Sequence, residues 1–179
     1  YETALELLNS VENIKEEVGR IVKNGYKEVV LTGIHVASYG KDSGDMSLID
    51  VIESIAEIEG LERIRTSSVE PLIITEEFVQ RLGAVDKFCP HFHLSLQSGS
   101  DSVLSRMNRR YTSQEYREAV NTIRRTFPYA AITTDVIVGF PEETDQEFEQ
   151  TYEFLKELKL TEGRGTGLPS VVRIRVRLR

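Results

Sequence analysis

The chain has 179 residues, one cysteine and a formal net charge of −7. That length suits one domain with a buried core, and a lone thiol excludes an internal disulfide and a cysteine-rich metal site. No apolar run approaches the roughly 18 residues of a membrane span and the start lacks a signal-like pattern, so no membrane partner and a cytoplasmic location are expected.

Charge is unevenly placed. Residues 161–179 hold five arginines against one glutamate, a local +4 that leaves −11 on the other 160 residues. An acidic body of that kind is a poor match for a phosphate backbone.

Elements alternate along the chain. Residues 12–24 carry Ile14, Val18, Ile21 and Val22 at helical spacing before Gly25. The run 28–34, EVVLTGI, predicts a buried strand, and residues 48–58 return to helix before Gly60. A strand follows at 62–66, then a helix capped by Thr75 and running to about Leu82. The third strand spans 91–96. A short helix from Asp101 to Met107 precedes a longer one over 113–127 with Ser113 as its cap. The fourth strand is 131–138. Residues 145–158 form a helix with Phe148, Tyr152, Leu155 and Leu158 on its apolar face and a Thr144/Glu147 capping box. Residues 163–169 read as a linker, and 171–178 alternates apolar residues with arginine like a half-exposed strand.

This order predicts an α/β fold of parallel β-α-β units, a partial TIM-like barrel. Ligands in such folds bind at the carboxyl ends of the strands. The segment 91–112, HFHLSLQSGSDSVLSRMNRRYT, places Gln97, Ser98, Ser100 and Arg109 there, and 133–148 supplies a second strand-to-loop unit. Strand parity sends His91, His93, Ser95 and Gln97 to one face and Phe92, Leu94 and Leu96 to the other. Thr133 and Asp135 share the inner face, and Thr32 can join them from the first strand.

His91 and His93 are spaced like a metal pair, yet only His35 remains as a further histidine. Hydrogen-bonded histidines in a polar interior are the favoured reading. Cys89 reads as a small buried residue before Pro90. The run 163–167, GRGTG, lacks the ending of a phosphate loop. Arg106 and Arg110 read as solvated helix-end charges, whereas Arg109, between Met107 and Tyr111, is a candidate partner for a carboxylate or phosphate.

Four segments carry a resemblance: EVVLTGIHVASYGKD, RIRTSSVEP, CPHFHLSLQSGSDSVLSRMNRRYT and TTDVIVGFPEETDQEFEQT. In this order they resemble the radical S-adenosylmethionine methylthiotransferases, and most of all the branch that modifies threonylcarbamoyladenosine in tRNA. The resemblance divides the chain into a non-family extension at 1–11, a barrel segment at 12–160, and a basic linker and strand of uncertain origin at 161–179. It implies S-adenosylmethionine and a four-iron four-sulfur cluster as cofactors of the parent enzyme and tRNA as its partner. The implied S-adenosylmethionine contacts are Thr32, Gly33 and Ile34, then Gln97 and Ser98, with Arg109 on the methionine carboxylate, and Asp135 and Gly139 on the adenosine side.

Departures qualify that resemblance. No CxxxCxxC loop occurs in the chain, and Glu142 stands where the family usually has glycine. The chain alone is therefore expected to be inactive, with weak ligand binding at most. The edge of the strand at 28–34 is expected to lie open. The tail strand is expected to cover one open edge, in cis or across a homo-oligomer. Two other classes remain in view: a non-radical β/α enzyme acting on an anionic small molecule, and a non-catalytic scaffold or oligomerising module.

Overall fold

The computed structural model describes residues 4–6, 11–32, 47–160 and 172–176. In chain order these form β1 (Ala4–Glu6), α1 (Val11–Lys23), β2 (Glu28–Thr32), α2 (Leu48–Ala56), β3 (Arg63–Thr66) and β4 (Ser68–Val69). A 3-10 turn (Pro71–Ile73) leads to α3 (Glu76–Gly83), β5 (His91–Leu94), α4 (Asp101–Arg106), α5 (Ser113–Thr126), β6 (Ala131–Val138), α6 (Asp145–Glu157) and β7 (Val172–Val176). Gly33, Ile34, His35 and the predicted linker at 163–169 lie outside the described residues.

Every strand pair is parallel, and neighbours follow chain order: β1-β2-β3 and β4-β5-β6-β7. The segment 63–69 joins the two groups. Its first half pairs with β2, and its second half with β5. Ile64 also bridges to Phe88. Consecutive parallel neighbours separated by helices are the arrangement of a partial barrel.

Alternation sorts the side chains into two faces. Val29, Leu31, Ile64, Phe92, Leu94, Ile132 and Val136 are buried in one core with the apolar stripes of α1, α2, α3, α5 and α6. Phe88, Phe92 and Phe127 pack as tilted rings 5.6–6.2 Å apart, a favoured aromatic geometry. The opposite face carries Glu28, Arg63, Arg65, His91, His93, Thr133 and Asp135, all exposed or half-buried. Glu28 accepts from Arg63 Nε at 2.6 Å and Arg65 Nε at 3.0 Å across β2 and β3.

The tail strand covers an edge in cis, one of its two expected placements, pairing with β6 from Thr134–Val172 to Val138–Val176. Three details differ from the sequence reading. β1 lies along β2, so that edge is covered. Thr112, not Ser113, caps α5, because Glu115 at the third helical position returns hydrogen bonds to the Thr112 backbone and hydroxyl. On α6 the buried face is Thr151, Phe154 and Leu155, while Phe148 and Tyr152 are exposed.

Candidate ligand site at the strand mouths

Past the end of β5 the chain is pinned to β6 by its backbone. Gln97 N–H donates to Asp135 O at 2.9 Å, and Ile137 N–H donates to Gln97 O at 2.9 Å. Between these bonds Gln97 holds φ of 70°, a region that non-glycine residues occupy at a cost of about 1–3 kcal/mol. Surroundings must impose it. Leu96 N–H donates to Thr134 Oγ1 at 3.1 Å, and the Thr134 hydroxyl donates to Leu94 O at 2.6 Å. Tyr111 Oη donates to Leu96 O at 3.2 Å, and burial pushes its phenol up to about 12. The half-buried Gln97 is thus held at the mouth of the strand, in contact with Asp135.

Arg109 follows α4. The turn after α4 passes through Asn108 at φ of 55°, and Arg109 N–H bonds back to Leu104 O at 2.9 Å. Its Nε is buried and finds no hydrogen-bond partner among the described residues. A buried donor without an acceptor is costly, and a bound carboxylate or phosphate is the group that a guanidinium satisfies best. Arg109 also lies within electrostatic reach of Tyr111, as does Glu70.

Gly139 follows β6 at φ of 75°, a conformation open to glycine. Its N–H and that of Phe140 both donate to Glu143 Oε2, at 2.5 and 3.2 Å. Thr32 ends β2 and is half-buried.

Ser98 has another employment. It is fully buried, and its Oγ lies 3.0 Å from Thr151 Oγ1 and accepts from Ser100 N–H at 3.1 Å. Gly99 N–H also donates to Thr151 Oγ1, at 3.0 Å. A β-carbon at Gly99 would come within 2.8 Å of Phe154 Cβ. The glycine therefore serves the close seating of this loop on α6.

Sequence reasoning missed the clamp behind that loop. Arg106 is exposed at the end of α4, as read, but it also grips Glu147 through two bonds of 2.9 Å. Ser102 Oγ adds a bond of 2.5 Å to the same carboxylate, and Ser100 Oγ lies 2.9 Å from Ser102 Oγ. Arg106 first, then Ser102, hold the Glu147 carboxyl well below the usual carboxylate range. The Thr144/Glu147 capping box was legible, but nothing in the spacing announced Arg106, which is 41 residues away.

The residues fit one implied cofactor and not the other. A buried guanidinium nitrogen without a partner among the described residues suits an amino-acid carboxylate. An iron–sulfur cluster finds no such cradle. The lone thiol, Cys89, lies before β5 at the opposite end from Gln97, and no group of three metal-binding side chains occurs among the described residues.

The model of the radical SAM superfamily matches residues 5–155. The chain belongs to the radical SAM superfamily. Among curated proteins it is 42% identical over 160 residues to a tRNA-2-methylthio-N(6)-dimethylallyladenosine synthase of Clostridium tetani (strain Massachusetts / E88), covering 89% of this chain and 35% of that protein. It is 43% identical over 152 residues to the threonylcarbamoyladenosine tRNA methylthiotransferase MtaB of Bacillus subtilis (strain 168), covering 84% and 34%. This radical SAM chain spans about a third of the length of those relatives.

Solved structures support the fold. The radical S-adenosylmethionine methyltransferase TsrM from Kitasatospora setae, solved with cobalamin and a 4Fe-4S cluster bound, aligns at a TM-score of 0.71 and 14% identity, over 96% of this chain and 31% of that one. Coproporphyrinogen III oxidase HemN from Escherichia coli, titled a radical SAM enzyme, aligns at 0.64 and 15%, over 93% and 37%.

Proposed function

We propose that residues 12–160 are the barrel segment of a tRNA-modifying methylthiotransferase, and that their strand mouths form its S-adenosylmethionine site. The observation that carries this reading is the buried Nε of Arg109, which has no partner among the described residues and follows in sequence the mouth that Gln97 and Asp135 share. Arg109 pairs with the methionine carboxylate. Thr32, at the end of β2, receives the amino group together with Gly33 and Ile34, which follow it in sequence. Gln97, Asp135 and Gly139 line the nucleoside, and Ser98 contributes through its backbone because its side chain is spent on Thr151.

The reaction assigned to the parent is 2-methylthiolation of N6-threonylcarbamoyladenosine in tRNA. The quoted motifs favour that branch, whereas identities of 43% and 42% to relatives of the two substrate types do not separate them. A four-iron four-sulfur cluster, when bound in the parent, supplies the electron that cleaves S-adenosylmethionine. With one cysteine, this chain has no ligand set for it, and alone it is inactive.

Calorimetric titration of S-adenosylmethionine and S-adenosylhomocysteine into the chain tests the reading. Heat that disappears in Arg109→Ala supports it. Binding that survives that substitution places the ligand elsewhere, and a folded chain that gives no heat means that the site residues serve the architecture only.

A further inference from the structure

The pairing of β5 with β6 changes register before it ends. His93 stands opposite Thr133, but Gln97 stands opposite Val136. Four steps along the β5 side thus match three along β6, so the β5 side carries one extra residue. Such bulges are rare in parallel pairs, and beside binding sites they re-aim a side chain. Ladder partners share a face of the sheet, and Val136 belongs to the core. A regular strand would therefore turn Gln97 toward the helices. Its φ of 70° takes it out of that alternation and leaves it half-buried.

Three buried hydroxyls serve the backbone at the bulge. Thr134 Oγ1 donates to Leu94 O at 2.6 Å and accepts from Leu96 N–H at 3.1 Å. Tyr116 Oη donates to Leu94 O at 3.4 Å, and Tyr111 Oη to Leu96 O at 3.2 Å. Thr134, Tyr116 and Tyr111 are all buried. Between them Ser95 N–H turns the other way, to Val69 O on β4 at 3.1 Å.

Of the three, Thr134 alone uses its hydroxyl as both donor and acceptor, and so spans the bulge from Leu94 to Leu96. Each tyrosine serves one carbonyl. Past Leu96 the backbone ladder resumes through Gln97 N–H to Asp135 O and Ile137 N–H to Gln97 O. Without the Thr134 hydroxyl, the Leu96 N–H would be left without its acceptor, which is costly for a buried donor.

We propose that Thr134 is the positioning residue of this strand mouth: its hydroxyl holds the extra residue in place and thereby sets the aim of Gln97. The effect on a ligand rests on the S-adenosylmethionine reading. The effect on the backbone does not.

Amide NMR with hydrogen exchange, on the intact chain and on Thr134→Val and Thr134→Ser, tests it. In the unaltered protein the Thr134 hydroxyl proton should be visible, slow to exchange and close to the Leu96 amide proton. Its absence overturns the proposal whether or not a variant folds. In Thr134→Val the Gln97 and Ile137 amides should exchange at least about tenfold faster, the size of one lost hydrogen bond, while α1 stays unmoved. S-adenosylhomocysteine should bind about tenfold more weakly, and Thr134→Ser, which keeps the hydroxyl, should restore both. Unchanged protection at Gln97 and Ile137 in a folded Thr134→Val chain overturns the proposal, as does a folded serine variant that behaves like the valine one. A folded original chain that binds no S-adenosylhomocysteine sinks the S-adenosylmethionine reading, and the exchange rates still decide the role of Thr134.

Discussion

Arg106 and Glu147 meet through two parallel hydrogen bonds, Nη1 to Oε1 and Nη2 to Oε2, each 2.9 Å long, and so tie α4 to α6. The same carboxylate accepts from Thr144 N–H at the start of α6, while Arg106 Nη2 also reaches Glu142 O at 3.3 Å. The pair thus secures a helix cap, a neighbouring helix and the loop after β6.

Glu147→Gln should weaken the cap and the bond to Arg106 and lower Tm by roughly 2–4 °C, checked by thermal unfolding at neutral pH. The difference should vanish in acid. A carboxyl whose native value is depressed contributes stability above its ordinary value near 4.5, and that contribution is lost as pH falls below it. A Tm gap between the two proteins that stays constant from pH 7 to pH 3 would contradict this.

Glu142 sits at φ of 66°, where a β-carbon costs about 1–2 kcal/mol. Glu142→Gly should relieve that strain and raise stability by up to about 1 kcal/mol after the added freedom of the unfolded chain is subtracted. Urea unfolding should show a higher midpoint with an unchanged slope. A lower midpoint would mean that the side chain repays its strain.

Gly99 is the reverse case. Its α-carbon hydrogens face Thr151 Cα and Phe154 Cβ, at 2.9 and 2.8 Å from an added β-carbon. Gly99→Ala should force the loop off α6 and cost about 1–3 kcal/mol, the range for overpacking. Equal urea midpoints for the variant and the original chain would show that the loop has room to give.

Reconstitution of the chain with iron and sulfide should produce no 5′-deoxyadenosine from S-adenosylmethionine. A single thiol at the wrong end of β5 cannot hold the cluster. Product detected by chromatography would show that other side chains serve as ligands.

Legibility in the sequence followed the strength of local signals. β6 was read to the residue, because seven of its eight residues are apolar or β-branched and the run stands between a turn and a glycine. The Thr75 and Thr144 caps were read correctly as well. β1 was missed: three residues, Ala4–Glu6, carry no periodicity, and only pairing with β2 makes them a strand. β4 was missed because its two residues are set off from β3 only by Ser67. On α6, two stripes compete at helical spacing. Phe148 and Tyr152 look the more apolar, yet Thr151 is buried because its hydroxyl serves Ser98 and Gly99, a tertiary demand that the helix alone does not announce. Site parity was legible too: His93, Thr133 and Asp135 share a face as alternation requires. The inward turn of the Ser98 side chain was not, since a serine in a Gly-containing loop serves a ligand or a helix equally well.

The most direct measurement is amide NMR of the chain during titration with S-adenosylhomocysteine. The account predicts saturable shifts at Gln97, Arg109, Asp135 and Gly139, with residues on the helical face, such as Val18 and Ile52, unmoved. Shifts confined to other residues, or none in a folded chain at millimolar ligand, would contradict the placement of the S-adenosylmethionine site at these strand mouths.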